Sequence, residues 1–232
     1  MHLIVKQLWR YPVKSMLGEA CASLRMDARG VEGDRLYAVR DAEGKLGSGK
    51  NTRHLRRIDG LFGFRAASAD GMTSVRFPDG QTMQANDPGI HASLSAALGQ
   101  AVTLAKEIGV PHFDTGPVHI LTTASLAWLR KVMPGVQADE RRFRANLVLA
   151  ADGAEPLELQ WPGKTLLLGD QLRLRITDPT ERCRMVTMGQ SELPEDTGIL
   201  REIAQRLDAQ FGVYAEVLVP GELRVGDAAR LV

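Results

Sequence analysis

Cys183 has the richest chemical neighbourhood in the sequence. It stands in Asp178-Pro179-Thr180-Glu181-Arg182-Cys183-Arg184-Met185, with an arginine on each side. Guanidinium groups brought close to the sulfur would favour thiolate over thiol, and the thiolate is the form that attacks electrophiles and ligates metals. The preceding Pro-Thr reads as loop rather than strand interior. Cys183 also reads as a small buried hydrophobe, and the local sequence leaves both readings open. Cys21, in Glu19-Ala20-Cys21-Ala22-Ser23-Leu24, lacks such neighbours and reads as structural. Two cysteines without a CxxC spacing exclude a disulfide framework and argue against zinc-finger, iron–sulfur or thioredoxin-like chemistry within this chain.

A second set of residues is basic and polar: Lys14-Ser15, Asp34-Arg35, Arg53 and the block Arg141-Arg142-Phe143-Arg144-Ala145-Asn146. Arginine grips planar anions through paired hydrogen bonds, and lysine adds a point charge. Converging on one pocket, such groups would suit a phosphate-bearing ligand; scattered, they form a solvated face. Arg144 and Asn146 alternate at the start of an apolar run, which predicts side chains on one face of a strand. Gly30-Val31-Glu32-Gly33-Asp34-Arg35 is not GxGxxG and is expected to be a turn that places Arg35. The histidines His2, His54, His91, His112 and His119 show no metal-ligand spacing, and HExxH, GxSxG and GxxxxGK[ST] are missing from the sequence.

These residues need elements to position them. Apolar and β-branched runs predict strands over Leu3–Trp9, Leu36–Arg40, Leu61–Ala67, Thr73–Phe77, Gln81–Ala85, Val118–Leu121, Leu147–Ala150, Thr165–Leu168, Leu172–Thr177, Val213–Val219 and Val225–Val232. Residues 45–57 are basic and polar and read as an exposed loop. Helices are expected from Asp87-Pro88 to Leu98, from a Thr122 or Thr123 cap to Val132, and from about Pro194–Thr197 to Phe211. The fold class is therefore mainly β with packed helices (α+β), a β-barrel core with helices outside. The pattern changes around residues 99–116.

The chain has 232 residues, 44% hydrophobic and 25% charged, ordinary values for a globular protein able to bury its own core. Twenty-nine Lys and Arg against 28 Asp and Glu give a net charge of +1, not the basic excess of a dedicated nucleic-acid binder. No apolar run approaches the ~18 residues of a membrane span, and the N-terminus lacks the features of a signal peptide. A cytoplasmic, reduced protein with no nucleic-acid or membrane partner is expected.

Tyr11-Pro12-Val13-Lys14-Ser15 with Gly18-Glu19 and Gly33-Asp34-Arg35 resembles the N-terminal β-barrel domain that precedes MOSC domains. Phe143-Arg144-Ala145-Asn146, Trp161-Pro162-Gly163, Gly169-Asp170, Pro179-Thr180-Glu181-Arg182-Cys183, Phe211-Gly212-Val213-Tyr214-Ala215 and Arg224-Val225-Gly226-Asp227 resemble the MOSC domain itself. The resemblance implies a MOSC-type β-barrel core with an N-terminal β-rich subdomain, divided as residues 1–105 and 106–232. It implies a molybdenum cofactor (Mo-molybdopterin), with Cys183 as metal ligand and catalytic residue. Lys14, Ser15, Arg35, Thr115, Arg144, Asn146 and Arg182 would contact that cofactor. The branch it is similar to, the mitochondrial amidoxime-reducing component and its bacterial relatives, reduces small N-hydroxylated compounds. Those relatives often continue into a plant-type ferredoxin domain; this chain ends at Val232, so the implied electron donor is a separate ferredoxin, flavodoxin or cytochrome-type reductase. A different class of reading is a cofactor-binding or sulfur-carrier module that holds a persulfide on Cys183 without turnover. Gly116 and Glu181 depart from the family pattern, which has a hydroxyl residue and a small polar residue there.

Overall fold

A computed structural model describes residues 2–232. Seven strands close into a barrel: β1 (His2–Arg10), β2 (Val118–Thr122), β3 (Leu147–Ala150), β4 (Thr165–Leu168), β5 (Leu172–Glu181), β6 (Gln210–Val219) and β7 (Ala228–Leu231). Around the barrel the order is β3-β2-β6-β5-β4-β7-β1, and β1 pairs with β3 to close the ring. All neighbours are antiparallel except β2 and β3, which are joined through α2 (Thr123–Val132) and run parallel. Alternation builds the interior. In β5, Leu172, Leu174 and Ile176 are buried while Arg173 and Arg175 face solvent. Leu3, Val5, Leu8, Ile120, Leu147, Leu149 and Trp161 fill the same core.

β2 is buried on both faces. Its outer face, through Leu121, and that of β3, through Val148, pack beneath α2 and α3 (Gly198–Leu207) with Phe143, Val186 and Phe211. Thr122 caps α2 by accepting a hydrogen bond from the Ser125 amide at 3.2 Å. A second body lies between β1 and β2. It holds a three-stranded sheet (Arg65–Ala69, Met72–Arg76, Thr82–Gln84), a four-stranded sheet (Val102–Lys106, Tyr37–Asp41, Leu46–Ser48, Leu55–Arg57) and α1 (Ile90–Leu98). Val13, Met16, Val39, Phe64, Ile90 and Leu94 are part of its core. Two strands cross the expected 105/106 division: β1 closes the downstream barrel, and Gly221–Arg224 pairs with Ser23–Asp27.

The structure corrects several expectations. Residues 45–57 contain two short strands, Leu46–Ser48 and Leu55–Arg57, paired in parallel. Leu61–Gly63 is a 3-10 turn, and the strand there begins only at Arg65. Strand Val102–Lys106 runs through the stretch where the sequence pattern changes. Helix α3 stops at Leu207, because Asp208 (φ 50°) and Ala209 (φ 62°) turn left-handed and deliver Gln210 into β6. Pro179-Thr180 belongs to β5. Its register shifts on both sides of Pro179, so the missing N–H interrupts no regular ladder.

Candidate functional site

The segment after β1 is sewn to the Gly33-Asp34-Arg35 turn. The Tyr11 amide donates to buried Asp34 Oδ1 at 2.7 Å, the Arg35 amide to the Tyr11 carbonyl at 2.7 Å, and the Lys14 amide to the Tyr37 carbonyl at 2.8 Å. This stitching directs Lys14 and Arg35 toward the barrel rim. Lys14 is 5% exposed, and its Nζ donates to the His112 carbonyl at 2.8 Å and to Asp114 Oδ1 at 2.5 Å. Burial lowers the Lys14 pKa, opposed by Asp114. Ser15 Oγ donates to the Gly47 carbonyl at 3.0 Å. Arg35 pairs with Asp34, reaches the Arg144 carbonyl at 3.2 Å and lies 3.5 Å from Asn146 Oδ1. Burial works against its charge, but Asp34 outweighs it and holds the guanidinium protonated.

Arg144 and Asn146 meet in the site, though not by strand alternation. Arg144 (φ 56°) caps the 3-10 turn Glu140–Phe143, and β3 begins only at Leu147. The Arg144 guanidinium donates to the Met16 carbonyl at 2.5 Å and lies over the Tyr11 ring at 4.2 Å. Burial, with Arg35 beside it, brings its pKa down to about 10. Fully buried Asn146 accepts from the His119 amide at 3.1 Å and donates to the Trp9 carbonyl at 3.2 Å.

Arg182 leaves the end of β5 inward. It donates to the Phe143 carbonyl at 2.8 Å and lies 3.3 Å from His119 Nε2. Arginine only donates, so His119 accepts through Nε2 and carries its proton on Nδ1. Burial first, then Arg182 and Arg35, push the His119 pKa well below its usual value, keeping the ring neutral. Cys183 is half-buried and opens the 3-10 turn Arg184–Thr187. Of its flanking arginines only Arg182 turns into the cluster, where burial lowers the pKa of its guanidinium. Arg184 is exposed, and Glu181 is exposed as well.

The structure thus gathers Lys14, Arg35, Arg144, Asn146 and Arg182 at one seam, with Cys183 on its edge. Ser15 faces Gly47, and Thr115 sits exposed in the loop carrying Asp114. Sequence reasoning missed Tyr11 as a platform and His119, Asp114 and Tyr214 as neighbours. Tyr214 lies opposite His119 across β2 and β6, with ring centroids 5.6 Å apart. It also accounts for Gly116, where a Cβ would come within 2.7 Å of the Tyr214 Cβ.

Four cations here face two carboxylates, Asp34 and Asp114. Two buried donors, Arg144 Nη2 and Arg182 Nε, have no partner among the described residues. Unmet buried donors on cations are costly, and an anionic acceptor would satisfy them. Among the described residues no three His, Cys, Asp or Glu side chains gather into a metal cage. Cys183 would therefore be a single soft ligand to a metal that arrives with its own ligands. The residues fit an anionic, metal-bearing cofactor.

Comparisons with known proteins agree with this architecture. The family model described as "MOSC domain" matches residues 103–230, and that described as "MOSC N-terminal beta barrel domain" matches residues 2–105. No curated protein matches the chain in sequence. Among solved structures, the YuaD protein from Bacillus subtilis superposes with a TM-score of 0.56 at 13% identity, covering 100% of this chain and 96% of that one. A hypothetical protein gives a TM-score of 0.50 at 11% identity, covering 100% of this chain and 68% of that one. At these identities the likeness is of fold.

Proposed function

From the premise that this chain belongs to the MOSC family, we propose that it is a molybdenum-cofactor-binding oxidoreductase that reduces small N-hydroxylated compounds. MOSC domains occur in molybdenum-cofactor-binding and sulfurase-like proteins. The observation that carries the reading is the buried cationic cradle of Lys14, Arg35, Arg144 and Arg182, with two unpartnered donors, beside a half-buried cysteine.

When bound, the cofactor supplies a two-electron redox centre. The overall reaction takes an N–OH group, two electrons and two protons to N–H and water. The chain's own residues do the holding. Arg35, Arg144 and Lys14 would grip the cofactor's phosphate, since each is oriented by a main-chain carbonyl. Arg182 would contact the cofactor between that grip and Cys183, and Cys183 would ligate the metal through its thiolate. Asn146, with both ends of its amide committed, fixes the wall behind Arg35. The electrons would come from a separate donor, a ferredoxin, flavodoxin or cytochrome-type reductase.

The test is elemental analysis for molybdenum and fluorescence of released pterin, on protein made in a host that synthesises the cofactor. Near-stoichiometric metal and pterin in the wild type, with the metal lost or altered in Cys183→Ala, is the expected result. Turnover of an amidoxime with an artificial reductant should vanish in the same variant. Pterin without turnover, together with sulfane sulfur on Cys183, would favour the carrier role. Neither metal nor pterin in either protein would overturn the proposal.

A further inference from the structure

Asp114 is out of place in a site built for anions. Its carboxylate is 66% exposed at the rim, yet it accepts a hydrogen bond at 2.5 Å from the buried Lys14 ammonium. Its charge reaches across the cradle and supports Arg35, Arg144 and Arg182 as well. Asp34, the other carboxylate, is 2% exposed and bound to Arg35 and the Tyr11 amide, so it is part of the frame. Asp114 has no such second anchor among its side-chain contacts.

The loop that carries Asp114 is held from one side. Glu107 pairs with Arg29 and accepts from the His112 amide at 3.1 Å. His112 is buried at 1% exposure, and its carbonyl binds Lys14 independently of Asp114. Beyond His112 come half-buried Phe113, then Asp114, exposed Thr115 and Gly116. The Asp114 side chain can therefore leave Lys14 while His112 keeps the ammonium in position.

We infer that Asp114 is a built-in competitor for the anion site. Its carboxylate holds the place on Lys14 that an incoming phosphate needs, and so it sets which anions enter. A singly charged anion gains little by replacing one carboxylate with another. A phosphate dianion gains, because it brings more charge and more acceptor oxygens to the unpartnered Arg144 and Arg182 donors. Asp114 thus makes the site select multiply charged phosphate groups. It also neutralises part of the cluster in the ligand-free protein, where like charges would otherwise face each other. The inference rests on the reading of the cradle as an anion site.

The test is calorimetric titration of inorganic pyrophosphate, and separately acetate, into the full chain made without the cofactor. Wild type is compared with Asp114→Asn and Asp114→Glu. Asp114→Asn should bind pyrophosphate about three- to fivefold more tightly, the scale of one largely solvated charge contact. Its preference for pyrophosphate over acetate should fall, and its ligand-free melting temperature should drop by a few degrees. Asp114→Glu should stay near wild type. Asp114→Ser serves as a second probe of the missing charge if the asparagine variant folds poorly. Equal or weaker pyrophosphate binding in the uncharged variants would overturn the inference while leaving the anion site standing. No pyrophosphate binding by any of the proteins would overturn both.

Discussion

Replacing Gly212 with alanine tests whether the barrel and the site are one mechanical unit. Gly212 sits in β6 with φ +82°, a left-handed conformation that costs an L-residue roughly 1 kcal/mol. A Cβ there would lie 2.5 Å from His119 Nε2 and 2.8 Å from the Ile120 carbonyl oxygen. The second contact is main chain of β2 in the closed barrel, so it can yield only by moving the strand. Overpacking of that kind costs about 2 kcal/mol. Together the two terms predict about 3 kcal/mol of destabilisation. For a chain of this size that is roughly 6–12 °C in melting temperature. Urea unfolding followed by tryptophan fluorescence suits the measurement, because Trp9, Trp128 and Trp161 all lie on the barrel or its covering helix. A loss below about 1 kcal/mol would refute the steric reasoning.

The same substitution should reach the site, because the displaced ring is the partner of Arg182. A double-mutant cycle with His119→Ala isolates that contact. Removing the ring deletes the nearest overlap and leaves only the Ile120 oxygen, so the double variant should recover about 1 kcal/mol relative to additivity. Effects that add within about 0.5 kcal/mol would show that Gly212 does not act on His119.

Two further predictions concern other parts of the molecule. Glu158 is fully buried, accepting from Thr122 Oγ1 at 2.7 Å and Ser125 Oγ at 2.5 Å, and burial raises its pKa despite those hydrogen bonds. The folded state then keeps the proton longer than the unfolded state. This contribution to stability is full below the unfolded carboxyl pKa and falls as pH rises through the folded value. Glu158→Gln should remove that fall, and urea midpoints that run parallel for both proteins from pH ~4 to ~8 would contradict it. Gly49→Ala would place a Cβ 2.6 Å from Met185 Sδ and 2.8 Å from Met188 Sδ. Both thioethers are flexible, so the stability cost should stay below about 1 kcal/mol. The Met185 and Met188 side chains beside Cys183 must move aside, and alkylation of Cys183 should speed up about twofold with Cys21 as internal reference; an unchanged rate would count against this contact.

The barrel was legible where local pattern decides structure. Leu172, Leu174 and Ile176 announce β5, Thr122 announces the start of α2, and Gly99, left-handed at 66°, ends α1 as a C-cap glycine should. Short elements were hidden because their partners lie far away in sequence. Ser23–Asp27 pairs with Gly221–Arg224, and no local signal in either segment reports the other. The candidate site divides in the same way. Lys14, Arg35, Arg144, Asn146 and Arg182 could be named from their motifs. The turn at Arg144 could not, since its left-handed backbone follows from packing of Phe143 and from the Met16 contact. His119 carried no metal-ligand spacing and gained its place only when β2 and β6 paired. Asp114 and Tyr214 became neighbours of the cluster for the same tertiary reason.

The way Arg144 and Arg182 are held leaves their charge unpaired by any carboxylate among the described residues. Carboxylate clamps would fix arginines firmly but neutralise them. Here Lys14 and Arg35 do carry carboxylate partners, Asp114 and Asp34, whereas Arg144 and Arg182 are held by main-chain carbonyls, those of Met16 and Phe143. A carbonyl orients a cation without cancelling its charge, so the charge stays available to a ligand. Delivering those carbonyls and side chains to one place requires unusual backbone. Ser15, Arg35 and Arg144 take φ of 64°, 49° and 56°, left-handed values that non-glycine residues rarely adopt. Each such residue costs on the order of 1 kcal/mol and persists only where the surrounding packing over-determines it. Three of them flank the one cationic seam, so that seam is built at a cost in backbone strain.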